Sequence, residues 1–156
     1  HKIWSTFRKY HYLNTKLHNA ADQFVGLIDG QLACHWSVIQ FPMRKGWKRG
    51  HRLVVLPDFQ GIGIGTLFHN YCAELVSREG WRINSTTTTP ALINSMIRDK
   101  SWALVRKGRV KSKPSDFVKY GRGDKSKSKS YSKSANKCIS KNRITFSFNY
   151  RPNGQN

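Results

Sequence analysis

The chain has 156 residues, enough for one domain with a substantial core. It carries 28 Lys and Arg against 8 Asp and Glu, a formal net charge of +20, which favours a polyanionic partner over a neutral one. Three widely spaced cysteines exclude a disulfide framework or a paired zinc motif, and no apolar run approaches the ~18 residues of a membrane span. We therefore expect a single soluble domain (1–156) with reduced thiols, in the cytoplasm and without a membrane partner.

The first half of the chain predicts a helix followed by a hairpin. Aromatic and apolar residues recur at helical spacing over residues 4–17, which indicates an amphipathic helix or a helix-turn-helix. Residues 23–28 and 31–41 are rich in β-forming residues and are joined by Asp29-Gly30, a strong signal for a two-residue hairpin turn. Residues 42–50 contain two glycines, a proline and four basic residues, and we expect them to form an exposed loop.

Next comes an apolar run followed by glycines at every second position: Gly61, Gly63 and Gly65. A strand over 53–56, this loop and a helix over 66–78 together predict a phosphate cradle, because glycines let an anion approach the N–H groups at a helix start. A dinucleotide loop would read G-x-G-x-x-G with an acid about 20 residues on, in the region where Arg82 lies. A nucleotide triphosphatase loop would need a lysine before Thr66, so neither alternative fits.

The rest of the chain adds two strands, a helix and an insertion before a last strand. Residues 81–88, 102–110 and 144–150 have β patterns, and Pro90 suits the first turn of a helix that ends at residue 98 or 99, with Thr89 as its cap. Between the last two strands, residues 121–141 alternate Lys and Ser, a composition that cannot form a core and predicts a flexible basic insertion.

The loop sequence QGIGIG fits the motif Q/R-x-x-G-x-G/A, the coenzyme A signature of the GNAT (Gcn5-related) N-acyltransferases. On this motif and its place between strand and helix, the chain resembles a GNAT. The resemblance implies an α/β (α+β) fold with a mixed central sheet flanked by helices, and acetyl-CoA or another acyl-CoA as cofactor. It also implies a set of cofactor-binding residues: Leu56, Gln60, Gly61, Ile62, Gly63, Ile64, Gly65, Thr66 and Asn94.

A second resemblance concerns the N-terminal pattern Trp4, Phe7, His11, Tyr12 and Leu13, together with the RLVVLPDFQGIGIG block over 52–65. These features are similar to a phage and mobile-element branch of the GNATs, and to the Mom-type proteins that modify adenine in DNA. The resemblance implies DNA as the favoured nucleic acid and a bacterial host cytoplasm as the setting. Mom-type proteins have been linked to iron, but the histidines here are scattered and predict no metal site.

The catalytic residues are predicted partly by what the chain lacks. Many GNATs use a glutamate on the strand before the loop and a tyrosine near the following helix, whereas residues 53–56 contain no acid and 90–99 no tyrosine. His11 is the candidate base, because an imidazole titrates near pH ~6.5; its structural alternative is packing against neighbouring aromatic rings. Tyr12 is the candidate donor to the leaving thiolate or a stacking group. Asp99 is the third candidate, since its charge opposes the dipole at a helix end.

Basic and aromatic residues interleave around the predicted loop, which offers both backbone neutralisation and stacking to a nucleic-acid base. Residues 98–156 add a further 17 basic against 3 acidic side chains. The leading hypothesis is an acyl-CoA-dependent N-acyltransferase acting on or near nucleic acid, with DNA adenine as its sharpest version. A protein or peptide N-acetyltransferase is one alternative, and a non-catalytic nucleic-acid-binding protein on a GNAT scaffold is another. The predicted nucleic-acid or substrate contacts are Arg44, Lys45, Trp47, Lys48, Arg49 and Arg52.

Overall fold

A computed structural model describes residues 3–11, 16–42, 44–109 and 144–152. They form three α-helices, six strands and two short 3-10 helices, Arg8–Tyr10 and Pro57–Phe59. In chain order the main elements are α1 (Trp4–Phe7), β1 (Asp22–Ile28), β2 (Gln31–Gln40), β3 (Trp47–Val55), α2 (Ile64–Arg78), β4 (Arg82–Thr87), α3 (Pro90–Arg98), β5 (Trp102–Arg109) and β6 (Ile144–Tyr150).

The six strands form one mixed sheet in the order β1-β2-β3-β4-β6-β5. Only β3 and β4 run parallel, and their pairing covers just three positions, from Trp47↔Arg82 to Arg49↔Asn84. Beyond Arg49 the two strands separate, although β3 continues to Val55 and β4 to Thr87. The separation leaves a cleft in the middle of the sheet, and the α+β architecture predicted from the sequence is confirmed.

The first hairpin forms at the predicted turn. Asp29 and Gly30 have φ angles of 49° and 77°, and a two-residue turn with two positive φ angles is of type I′, whose twist matches that of the flanking strands. Ile28 pairs directly with Gln31 across the turn.

Different helices pack on the two faces of the sheet. Helices α2 and α3 pack on one face, where Val76 and Met96 join Trp36, Ile83 and Phe148 in the larger core cluster. Side chains alternate along β2, and His35, next to Trp36, therefore points to the opposite face. There the rings of Trp4 and Phe7 contact its imidazole, at 4.9 and 5.4 Å between centroids. This second face is called the α1 face below.

Several predicted boundaries were wrong. The exposed loop 42–50 ends early, because β3 begins at Trp47 and pairs there with both β2 and β4. The first helix ends at Phe7, with one 3-10 turn after it. Helix α2 begins at Ile64, two residues before the predicted start, because Gly63 caps it in the left-handed conformation. The predicted flexible insertion, 121–141, lies outside the described residues.

Candidate active-site cleft

The separation of β3 and β4 opens a cavity of about 790 Å³. It is lined by β3 from Arg49 to Val55, by the loop and first turn of α2, by Ser85–Thr87 of β4 and by the start of α3. The cleft therefore runs from the helix-covered face of the sheet to the α1 face.

The glycine loop forms the end of the cleft beside α2. Gly61 and Gly63 have φ angles of 85° and 83°, and an added Cβ at either position would meet no atom within 4 Å. Gly63 is the N-cap of α2, so the unpaired N–H groups and positive dipole end of the first helical turn face this open space. A phosphate or diphosphate fits such a cradle, because the backbone can approach it without a side chain intervening.

A hydrogen bond and a close backbone approach hold this loop against β3. The side-chain amide of Gln60 donates a hydrogen bond to the carbonyl oxygen of Val55 over 2.8 Å. A Cβ at Gly65 would lie 2.9 Å from the Cγ2 atom of Val55, so only glycine allows α2 to start this close to β3.

The middle of the cleft has walls of small residues. A Cβ added to Gly50 would lie 3.3 Å from the Ser85 hydroxyl oxygen and 3.5 Å from Nε1 of Trp36, so the glycine helps to keep the passage open. Thr86 and Thr87 continue the wall along β4. Sequence reasoning missed these hydroxyl residues, although a run of one serine and four threonines over 85–89 was a visible signal.

On the α1 face a β-bulge arranges the basic residues. Ser37 pairs with Arg52 and Val38 with Gly50, which leaves His51 as an extra residue of β3. A bulge reverses the alternation of side chains, so Arg49 and Arg52 lie on the same face although they are three residues apart. The Arg52 guanidinium donates to the carbonyl oxygens of His51 at 2.9 Å and of Lys16 at 3.2 Å, which ties the N-terminal segment to the rim of the cleft.

Two histidines line this end of the cleft, His11 and His51. Burial, and after it the positive charges of Arg52, His18, His11 and Arg49, lower the pKa of His51 to about 4. Its ring is therefore neutral at pH 7. The backbone N–H of His18 donates to its Nε2 atom at 3.3 Å, so the lone pair of His51 is engaged. His11 contacts Trp4, with 6.1 Å between ring centroids, which also agrees with its predicted packing role.

Nine of the predicted site residues meet in the cleft: His11, Arg49, Arg52, Gln60, Gly61, Gly63, Ile64, Gly65 and Thr66. Eight others do not line it and keep their roles only as predictions: Leu56, Ile62, Asn94, Asp99, Arg44, Lys45, Trp47 and Lys48. Tyr12 lies outside the described residues.

Asp99 has structural partners that account for its position. It follows the last turn of α3, accepts a hydrogen bond from the Ser101 N–H at 2.9 Å and accepts another from the Asn70 side-chain amide. The Asn70 oxygen in turn accepts from the indole N–H of Trp102 at 2.8 Å. These bonds tie α3 to α2 and β5.

Within the described ranges, no group of three or more His, Cys, Asp or Glu side chains could hold a metal ion. Among the same residues, no helix combines the length and apolar character that crossing a membrane requires.

No family model and no curated protein matches the sequence. Solved structures do match the fold. A Bacillus subtilis acetyltransferase in complex with CoA gives a TM-score of 0.62 at 11% identity, covering 97% of this chain and 92% of that chain. An IAA acetyltransferase from Bacillus cereus gives 0.56 at 12%, covering 84% and 77%. The ribosomal-protein-S18-alanine N-acetyltransferase of Escherichia coli gives 0.55 at 10%, covering 90% and 76%. At such identities the likeness concerns the fold alone: the chain has the fold of the GNAT acetyltransferases.

Proposed function

We propose that this chain is an acetyl-CoA-dependent N-acyltransferase that acts on an amine in or near a nucleic acid, with DNA adenine as the sharpest candidate. The observation that carries the proposal is the glycine cradle at the start of α2, which opens into a cleft passing through the sheet. A protein of the same fold supports the choice of acetyl-CoA as the cofactor, because the Bacillus subtilis acetyltransferase was solved in complex with CoA.

The residues of the cleft divide into a donor end and an acceptor end. The N–H groups of the first α2 turn, with Gly61 and Gly63, hold the diphosphate of the cofactor. Between β3 and β4, the small residues Gly50 and Ser85 leave room for an extended arm. The acceptor enters from the α1 face, where His11, Arg49 and Arg52 line the cleft.

When bound, acetyl-CoA supplies an acyl group activated as a thioester. An attacking amine forms the new C–N bond as the C–S bond breaks, and it must lose a proton in the process. In this proposal His11 accepts that proton, because it lines the acceptor end of the cleft and an imidazole can take up a proton near neutral pH. Tyr12 stays the predicted donor of a proton to the leaving thiolate.

A nucleic-acid acceptor is supported by charge. The acceptor end carries two arginines and two histidines, and the described lining residues include no Asp or Glu. The whole chain has a formal charge of +20, which attracts polyanions at long range. A peptide acceptor is the second candidate, favoured by one structural neighbour that is an N-acetyltransferase of a ribosomal protein.

The test is mass spectrometry of nucleosides from DNA co-expressed with the protein. We expect an acylated base with the wild type and a loss of about 100-fold or more in modification with His11→Ala, because a positioned general base contributes about that much. His18→Ala removes an exposed histidine that does not line the cleft and serves as the matched control. CoA affinity should be the same in all three proteins.

If the DNA stays unmodified and the purified protein acetylates a peptide, the peptide N-acetyltransferase alternative would be correct and the nucleic-acid acceptor would be refuted. Intact CoA binding with no transfer to either acceptor would favour a non-catalytic role of the scaffold. Undiminished modification by His11→Ala would show that another residue is the base.

A further inference from the structure

Three arginines lie over two aromatic rings beside the cleft. The guanidinium carbon of Arg44 lies 5.4 Å from the ring centre of Phe41 and 5.3 Å from that of Trp47. Arg49 lies 5.8 Å from Phe41, and Arg82 lies 5.8 Å from Trp47. These five residues are called the arginine–aromatic patch.

The strand pairing places this patch on the α1 face. Trp47 and Arg49 are two residues apart on β3 and point the same way, and Trp47 pairs with Arg82 in the parallel register. Lys48, between them, points to the other face, where its Nζ lies 2.9 Å from an Asp22 oxygen. The alternation therefore places the patch arginines and Lys48, which is paired with Asp22, on opposite faces of the sheet.

Within the part of the chain that the structure describes, the patch concentrates positive charge without an acidic partner. The ion pairs among the described residues involve Lys48 and Arg78, and none involves the three patch arginines. Arg49 is exposed in the fold, so its guanidinium is accessible to an anionic ligand. Three guanidinium groups around two rings make this part of the α1 face positive, which favours an anionic ligand.

The chemistry of arginines beside aromatic rings favours phosphate. A guanidinium can lie over a ring and still offer the N–H donors at its edge for bidentate bonds to phosphate oxygens. Aromatic rings among such groups can also stack on bases, as in proteins that bind single strands. An acidic peptide could use the charge but not the rings.

We propose that the arginine–aromatic patch binds the phosphate backbone of a single nucleic-acid strand and leads that strand into the cleft through Arg49. Arg49 belongs to both the patch and the cleft wall, so a strand held on the patch continues toward His11 and Arg52. The inference rests on the nucleic-acid part of the proposed function, but binding can be measured without catalysis.

The test is fluorescence anisotropy of a short labelled single-stranded DNA over a series of salt concentrations. Arg44→Gln combined with Arg82→Gln removes two phosphate contacts, and the slope of log affinity against log salt should fall by about 1.4, at ~0.7 per contact on a single strand. The matched control, Arg98→Gln with Lys100→Gln, removes the same charge from the exposed end of α3 and should keep the wild-type slope.

A second variant tests the stacking. Trp47→Leu keeps every charge but removes the ring under Arg44 and Arg82, and we expect it to weaken DNA binding, whereas Trp47→Phe should restore most of the affinity. Equal losses in the patch and control pairs would overturn the proposal, because general surface charge would then explain binding. Equal binding of poly-glutamate, or no DNA binding by the wild type, would also overturn it. CoA affinity, measured on the same samples, shows separately whether the proposed enzyme function fails.

Discussion

Replacing His69 by phenylalanine should remove a defined part of the pH dependence of folding. His69 is 1% exposed, stacks on Trp102 with 4.7 Å between ring centroids and meets Trp36 edge-on at 5.1 Å. Neither ring nitrogen has a hydrogen-bond partner among the described residues. Burial lowers its pKa to about 4, against a smaller opposing effect of the Asp99 charge.

The sign follows from where the proton binds. The unfolded state has the ordinary pKa of about 6.5, so between pH 6.5 and pH 4 it binds more protons than the folded state, and stability falls as the pH falls through this window. Between about pH 7.5 and about pH 5, His69 alone should lower the free energy of unfolding by about 2 kcal/mol. Phenylalanine keeps an aromatic ring between the tryptophans but cannot bind a proton.

The assay is urea unfolding of the wild type and His69→Phe at both pH values. The variant should lose about 2 kcal/mol less than the wild type on acidification, whatever its stability at neutral pH, since a packing cost is the same at each pH. An unaltered pH dependence in His69→Phe would refute the reasoning, because the ring would then take up its proton without leaving the core.

Three further predictions concern contacts of Gly65, Asp99 and Gly50. Gly65→Ala should lower the free energy of unfolding by about 1–3 kcal/mol, because the added methyl group overpacks against Val55. In a double-mutant cycle measured by urea unfolding, Val55→Ala should relieve most of that cost. Additive losses in the double mutant would contradict the contact. Asp99→Ala should lower the free energy of unfolding by about 1–3 kcal/mol, because it leaves a polar group without its acceptor; an unchanged unfolding midpoint would argue against a structural role. Gly50→Ala should weaken CoA binding in calorimetry with little change in stability, and unaltered affinity would show that the cofactor passes elsewhere.

Local patterns predicted the elements whose signals lie close together in the chain. The Asp29-Gly30 turn needs only two residues that tolerate positive φ. The spacing of the glycines alone predicted the loop before α2. The order of strands and helices followed for the same reason, which is why the sheet and the cradle at Gly61 and Gly63 could be anticipated.

The acceptor end of the cleft depended on contacts that no local pattern encodes. His51 became part of the site because a bulge opposite Ser37 inserted it as an extra residue, and a register shift cannot be read from one strand. Trp47 was expected in a loop because glycines and basic residues surround it, but pairing with two neighbouring strands overrode that composition. Lys48 was expected to contact nucleic acid, which stays a prediction, and only the alternation of β3 shows that its side chain lies beside Asp22.

The most direct measurement of the central claim is calorimetric titration of CoA into the wild type, Gly63→Glu and Gly80→Glu. Both glycines have similar positive φ angles, 83° and 87°, and open space at the Cβ position, so the two variants carry the same backbone strain and the same added charge. Only Gly63 lies in the cleft. We predict that CoA binds the wild type and Gly80→Glu alike and that Gly63→Glu abolishes binding, whereas equal binding by both variants, or none by the wild type, would contradict the account.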